Sequence, residues 1–379
     1  MRKALASNAL MFLIVGLIGF GAVLGWGKAQ FGAVGPLAQA ICFTVPSGSN
    51  FNKVSEGLLD AGAIETPWIF RIGVRNSGKS GDLKAGTFVL RQGISMQGIT
   101  DELTQSGAAS CGSEIVLRVG VTRSDLQMRE VDPSTERMVT VASHVLGAGE
   151  LPSEYSRLRA DDATEYRVTM AEGATVWLVA EALKHAEFLT GEVGVLPQEG
   201  MLAPDSYAVA AGGDRGELMA AMVAKQEERL AAAWTTRATD LPIDSPEDLL
   251  ILASIIEKET GIAEERGLVA GVFANRLRQG IRLQTDPSVI YGITLGKEIL
   301  GRGLRVSELR ADTPYNTYVI NGLPVTAIAN PGKEALEAAA NPEATDFIFF
   351  VADGTGGHAF AATLAEHNRN VAAWRAAGN

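Results

Sequence analysis

Cysteine is almost missing from this sequence: Cys42 and Cys111 are the two in 379 residues. Two isolated thiols supply neither the Cys-x-x-Cys pairs of a structural zinc site nor a redox motif. An oxidising compartment would allow them to pair, and nothing in the sequence requires it. Histidine is nearly as scarce. The four present, His144, His185, His358 and His367, have no metal-ligand spacing, and there is no His-Glu-x-x-His. A zinc enzyme is therefore not expected, and no metal or other cofactor is implied. Basic charge is in deficit, with 33 Lys and Arg against 44 Asp and Glu and a net charge of −11. That balance argues against nucleic acid as a partner. No Gly-x-Ser-x-Gly nucleophile elbow occurs. The run Gly354 to Gly357 follows no phosphate-loop pattern and reads as a turn at a strand end.

One long stretch lacks charge altogether. After Met1-Arg2-Lys3 the next charged residue is Lys28, and Ala9 to Trp26 is almost wholly apolar. That length spans a bilayer. Basic residues ahead of it favour a cytoplasmic N-terminus, with the rest of the chain across the membrane and Trp26 at the interface. Ala38-Gln39-Ala40 has the small-x-small form of a cleavage site, but it lies too far beyond a run already too long for a signal peptide. The expectation is a cytoplasmic tail over 1–8, a retained transmembrane helix over 9–26 and a linker over 27–40. Gly27 to Gln39 reaches at most about 45 Å, which holds the next module close to the membrane.

Beyond the linker the chain changes character. Phe43-Thr44-Val45 is β-like, Ser47 to Asn50 is a turn, and Phe51, Val54, Leu58 and Leu59 take helical spacing. Leu83 to Leu90 reads as a returning strand, and Ser95 opens another helix ending at Gly107. The segment 41–107 is thus a small β-α-α-β module that resembles a LysM-like peptidoglycan-binding unit. Thr44, Gly48, Val54, Glu56 and Leu58 recur 125 residues on as Thr169, Gly173, Val179, Glu181 and Leu183, which suggests a second strand–turn–helix. Between them, 108–165 is mixed and polar and reads as an insertion of uncertain structure. The remainder, 166–379, carries the chemistry.

Its most informative stretch is Leu249 to Gly261. Ser245 is a good N-cap, Pro246 suits the first helical position, and Asp248 stands where a capping box needs it. Gly261 is the expected left-handed stop. Between these ends the helix is apolar almost all round, so it is buried. Glu257 falls on the stripe of Leu249, Leu250 and Ala253, in the last turn. Lost water and the negative end of the helix dipole both raise its pKa, as a general acid requires. The alternative is a structural ion pair with an Arg elsewhere. Glu259 points roughly to the opposite side.

A second helix follows, with Leu268, Val269, Val272, Phe273 and Leu277 as core face and Gly280 as stop. Polar and aromatic residues then crowd together: Gln284, Asp286 and Pro287, Tyr291, Tyr315-Asn316-Thr317-Tyr318, Gly322-Leu323-Pro324 and Asn330-Pro331-Gly332. Phe347 to Val351 reads as a buried strand running into Ala352 to Phe360, with His358 beyond it. Three of the six tyrosines lie between 291 and 318, where rings stack on sugar faces and hydroxyls bind hydroxyls. Gln284, Asp286, Tyr291, Tyr315, Asn316, Tyr318 and His358 are the candidate substrate-binding residues, and each is also open to a structural reading.

Ala253-Ser254-Ile255-Ile256-Glu257-Lys258-Glu259-Thr260, Val272 to Leu277, Leu283 to Pro287, Tyr315 to Tyr318 and Phe350 to Gly354, in that order, resemble the MltG (YceG-like) endolytic murein transglycosylases. The likeness is strong over about 166–370 and loose over 41–107. It implies that Glu257 is the catalytic acid, and that a membrane anchor and a LysM-like unit precede the catalytic part. Two features depart from the family. Its Gly-Leu-Pro-Pro-Gly-Pro-Ile appears here as Gly322-Leu323-Pro324-Val325-Thr326-Ala327-Ile328, and 108–165 is extra.

The resulting expectation is an α+β protein: one transmembrane helix, a LysM-like module and a C-terminal α+β catalytic domain. It would sit in the bacterial inner membrane with the catalytic part in the periplasm. It would cleave between N-acetylmuramic acid and N-acetylglucosamine within a glycan strand, leaving 1,6-anhydromuramic ends and so terminating growing strands. Peptidoglycan is then the partner, the membrane is met through one helix, and peptidoglycan synthases are possible associates. The alternatives are a hydrolytic muramidase, with Asp286 or Asp353 as second acid, and a non-catalytic peptidoglycan-binding scaffold.

Overall fold

The structure, a computed structural model, describes residues 11, 15, 19, 21–23, 25–46, 48–105, 111–161 and 163–377. The chain divides into two compact units. The first holds residues through Ile115 with Met128–Ala142 and Pro152–Glu165, and the second holds Val116–Gln127, Ser143–Leu151 and the chain from Tyr166 on.

The first unit opens with β1 (Ile41–Val45), α1 (Phe51–Asp60), α2 (Pro67–Asn76), β2 (Gly86–Leu90) and α3 (Met96–Thr104). Asn50 starts α1 by accepting the N–H groups of Asn52 and Lys53. β1 and β2 pair antiparallel from Ile41 opposite Leu90 to Val45 opposite Gly86. The apolar positions at helical spacing, Val54 and Leu58, join Phe70, Leu90, Ile99 and Leu103 in one core. The β-α-α-β order is therefore present, followed by the helix expected to open at Ser95. Cys42 and Cys111 form a disulfide with Cα atoms 5.7 Å apart.

Among the described residues no helix is long and apolar enough to cross a membrane. The expected span over 9–26 lies for the most part outside the described residues. Of its described positions, Met11, Val15, Val23 and Trp26 are exposed.

The segment 108–165 is more regular than its composition suggested. It supplies β3 (Ser113–Val119), β4 (Ser124–Asp132), β5 (Arg137–Val145) and α4 (Ser153–Arg159). Residues of β5 alternate between exposed and half-buried along much of its length, so polar side chains are tolerated there without breaking the strand. The strand order of this sheet is β5-β4-β3-β6-β8, with β6 (Glu165–Met170) antiparallel to β8 (Ser206–Val209). α5 (Val176–Lys184) follows β6, which gives the second strand–turn–helix. Gly48 and Gly173 hold the left-handed turn positions of the two copies, at φ +74° and +75°.

The second unit continues through β7 (Leu189–Thr190), β9 (Gly213–Asp214) and a series of helices: α6 (Arg215–Thr235), α7 (Pro246–Glu259), α8 (Ala263–Arg278), α9 (Asp286–Thr294), α10 (Val306–Leu309) and α11 (Lys333–Ala340). The hairpin of β10 (Phe349–Ala352) and β11 (His358–Ala361), then α12 (Leu364–Ala376), complete it. α7 is the central helix. Its capping box is formed as expected, Ser245 accepting from Asp248 N and Asp248 accepting from Ser245 N. Every residue from Leu249 to Ile256 is buried, packed with Val269 and Phe273 of α8 and Leu336 and Ala339 of α11.

Two expectations are corrected. α7 does not stop on a left-handed Gly261. Thr260 turns extended at φ −140°, is buried, and its hydroxyl accepts Ile262 N, so the side chain rather than a glycine sets the exit. The strand expected over Phe347–Val351 starts at Phe349 and is half-buried, because it is one arm of a two-stranded hairpin with a wet face.

Candidate active site

The last turn of α7 presents two carboxyl groups to two different environments. Glu257 is half-buried. Its Oε2 accepts the backbone N–H of Gly332 at 3.0 Å, and its Oε1 has no hydrogen-bond partner among the described residues. Burial raises its pKa, while the Gly332 N–H, the Arg266 guanidinium and the Lys258 ammonium work against that rise. No salt bridge reaches Glu257 among the described residues, so the structural ion-pair reading lacks its partner. Arg266 faces it from α8, Glu334 from α11 and Glu172 from the turn after β6. Glu172 lies so close to Gly332 that a Cβ there would collide with its carboxylate. Glu172 too is held above the ordinary carboxylate range, first by burial and then by Glu257.

Behind this face lies a buried polar knot. Glu199 accepts Val176 N at 2.9 Å, the Tyr291 hydroxyl at 3.2 Å and the Asn330 amide at 3.3 Å. Burial pushes its pKa up to about 7. A cavity of about 470 Å³ lined by Glu199, Trp234, Leu250 and Ala327 adjoins this knot, and Glu257 is not among its lining residues.

Glu259 occupies the other environment. It accepts the Thr285 hydroxyl, and Thr285 leads into a buried hydroxyl chain in which Thr317 Oγ1 receives Thr285 N at 3.0 Å and lies 2.8 Å from Ser288 Oγ. Burial raises its pKa as well. Beside it the Tyr318 hydroxyl donates to Asp286 Oδ1 at 2.7 Å. His358 is fastened by Nδ1 to Glu265 Oε2 at 2.7 Å, and its backbone N–H goes to Glu265 Oε1.

The expected sugar-binding residues are thus divided rather than gathered at Glu257. Tyr291 and Tyr315 stack edge to face at 5.1 Å on the Glu199 side, with the Tyr315 hydroxyl on Thr326. Asp286, Tyr318 and His358 belong to the Glu259 side. Gln284 is exposed at φ +52°, its N–H held by Thr317 O. Asn316 is fully buried, its amide donates to Glu308 O and Ala311 O, and its side-chain carbonyl takes Tyr318 N. No atom of it remains for a sugar. The sequence reading passed over Glu172, Glu199, Arg266 and the partner role of Gly332. The density of turn residues in Glu199–Tyr207 and in Asn330–Gly332 was the available signal.

The last turn of a buried helix thus carries an acid faced by the turn of an Asn-Pro-Gly segment. The sequence profile of the YceG-like family matches residues 148–373, and the chain is a member of that family. It is similar to an endolytic murein transglycosylase of Bacillus subtilis, 28% identical over 328 residues covering 86% of this chain and 82% of the relative. It is also similar to one from Streptococcus pneumoniae serotype 2, 26% identical over 86% of this chain but 57% of that longer protein. A crystal structure of a YceG-like protein from Listeria monocytogenes matches 87% of this chain and 99% of its own, at 26% identity and a TM-score of 0.43.

Proposed function

We propose that the protein is an endolytic murein transglycosylase whose general acid is Glu257. The observation that carries the reading is the setting of that carboxyl: half-buried, its pKa raised by burial, with one oxygen on Gly332 N and the other without a partner among the described residues. The family and the names of the relatives agree with it.

In the reaction Glu257 gives its proton to the oxygen between N-acetylmuramic acid and N-acetylglucosamine. The muramic C1–O bond breaks, N-acetylglucosamine leaves with a new hydroxyl, and an oxocarbenium-like state remains. The muramic 6-hydroxyl then adds to C1 and returns its proton to the Glu257 carboxylate, closing the 1,6-anhydro ring and restoring the acid. One carboxyl serves both steps because the nucleophile is internal, whereas ordinary glycosidases need two. Gln284, Asp286, Tyr318 and His358, at the surface of the Glu259 side, and the Tyr291–Tyr315 pair are proposed to contact the strand.

A hydrolytic muramidase is the second reading, and its candidate partner acid changes. Asp353 closes its own turn by accepting Thr355 N and Gly357 N, and Asp286 holds Tyr318. Glu172, beside Gly332, and Glu334 are carboxylates that share the field of Glu257. Mass spectrometry of glycan digested by the purified protein decides between them. Anhydro ends support the transglycosylase, reducing ends make it a hydrolase, and no cleavage leaves a binding scaffold.

We further propose a single membrane anchor over 9–26 with the rest of the chain in the periplasm, where the module over 41–107 binds peptidoglycan in LysM-like fashion and synthases are met. The apolar run behind Arg2 and Lys3 supports the anchor. The Cys42–Cys111 disulfide supports an oxidising compartment. N-terminal mapping of mature protein that began near Ile41 would remove the anchor.

A further inference from the structure

The Asn330-Pro331-Gly332 turn is tied at almost every polar atom. Asn330 N donates to Ala174 O at 3.0 Å, and Asn330 O accepts Gly173 N at 2.9 Å. Its side-chain amide donates to Ala174 O and Glu199 Oε1, and its side-chain carbonyl accepts Leu202 N at 2.8 Å. Gln226, fully buried on α6, donates its amide to Gly200 O at 3.0 Å and to Pro331 O at 3.1 Å. Gly332 O accepts Leu336 N as α11 begins. The one remaining group, Gly332 N–H, points at Glu257 Oε2.

We infer that this pinned turn is a device for stabilising the Glu257 carboxylate that appears as its proton leaves, and that Asn330 and Gln226 are the positioning residues that aim it. The inference rests on Glu257 being the acid. A hydrogen bond to a carboxylate is roughly twice as strong as one to the neutral acid. The Gly332 N–H, at the positive end of α11, therefore favours the transition state over the resting acid. Its fixed direction costs no rearrangement at the moment of transfer. That explains why a fully buried Gln would be used to hold a proline carbonyl. The other charged groups facing Glu257 are Glu172, Glu334, Arg266 and, on its own helix, Lys258.

The direct test takes away the Gly332 N–H. Gly332 has φ −70°, which proline adopts without strain. With Glu172→Ala making room for a Cβ, Gly332→Ala keeps the N–H, whereas Gly332→Pro replaces it with a ring carbon set against Glu257 Oε2. In full-length protein the proline variant should lose about 10- to 100-fold in kcat relative to the alanine variant, the range of one charge-assisted hydrogen bond, with KM within about twofold. Losing a donor to the carboxylate should also move the Glu257 titration, followed by NMR, and the basic limb of the kcat profile to higher pH. Gln226→Met, which keeps volume but not the amide, should move both in the same direction by less. Equal kcat and equal Glu257 titration in the folded proline and alanine variants would overturn the inference, as would Gln226→Met that lowers only the melting temperature. Failure of the underlying reading looks different: Glu257→Gln would then keep full activity, whatever the Gly332 pair does.

Discussion

Glu257 and Glu259 stand two residues apart on one helix turn, share the same backbone dipole, and are both raised by burial. Their partners separate them. Glu259 is fastened by the Thr285 hydroxyl at the head of a buried chain through Thr317 and Ser288. Glu257 is held instead by a backbone N–H, that of Gly332. A raised pKa alone therefore does not mark a catalytic acid. What separates the two is the partner, a backbone N–H at Glu257 and a buried hydroxyl chain at Glu259.

The largest expected effect tests this contrast head on. Glu257→Gln retains shape and the ability to accept from Gly332 N but has no acidic proton. Release of anhydromuramic ends should fall by about 100-fold or more, with the melting temperature little changed. Next comes Glu199, the third buried acid. Its carboxyl is held at about 7 against an ordinary value near 4.5. Between those values the folded state keeps a proton that the unfolded state has lost, so stability declines as pH rises from about 4.5 to 7. The difference is roughly 3 kcal/mol, fully imposed above pH 7. Glu199→Gln should flatten that slope in denaturant titrations at pH 5 and pH 8. An unchanged slope would mean that Glu199 does not hold its proton.

The third expectation is smaller and has the opposite sense for catalysis. Glu259→Gln should leave kcat within about tenfold of wild type, because its role is to accept from Thr285 rather than to release a proton. A full loss there together with retained activity in Glu257→Gln would exchange the two assignments.

Much of this contrast could be read from the chain, and the unread part has a common cause. α7 was legible because its caps and its eight-residue buried run are local, and Glu257 because its stripe is periodic. The two strand–turn–helix copies were legible through Gly48 and Gly173, whose φ values only glycine takes readily. What escaped was long-range. The Gly332 N–H is 75 positions from Glu257 and belongs to the backbone, so no side chain announces it. Asn316 and an exposed Asn are the same letter; only tertiary burial makes one a brace. β4 and β5 were hidden because half-exposed strands carry polar residues freely. The disulfide joins residues 69 apart, a distance at which sequence leaves pairing open.

The smallest effect sharpens the boundary between bracing and binding on the Glu259 side. Tyr318 Oη donates to Asp286 Oδ1 at 2.7 Å, and Asp286 is exposed. If the pair is only a brace, Tyr318→Phe forfeits one hydrogen bond to a carboxylate that water can replace, worth about 1 kcal/mol of stability, with KM unchanged. If the strand lies across this face, as proposed, the hydroxyl and the acid also meet sugar hydroxyls. Tyr318→Phe should then raise KM several-fold while kcat holds, and Tyr318→Ala should raise it further by removing the ring on which a sugar face stacks. Glycan turnover measured over a range of substrate concentrations separates the two, since a brace alone moves only the melting temperature. KM values in both variants equal to wild type would take the strand off this face and leave the Tyr291–Tyr315 side as its track.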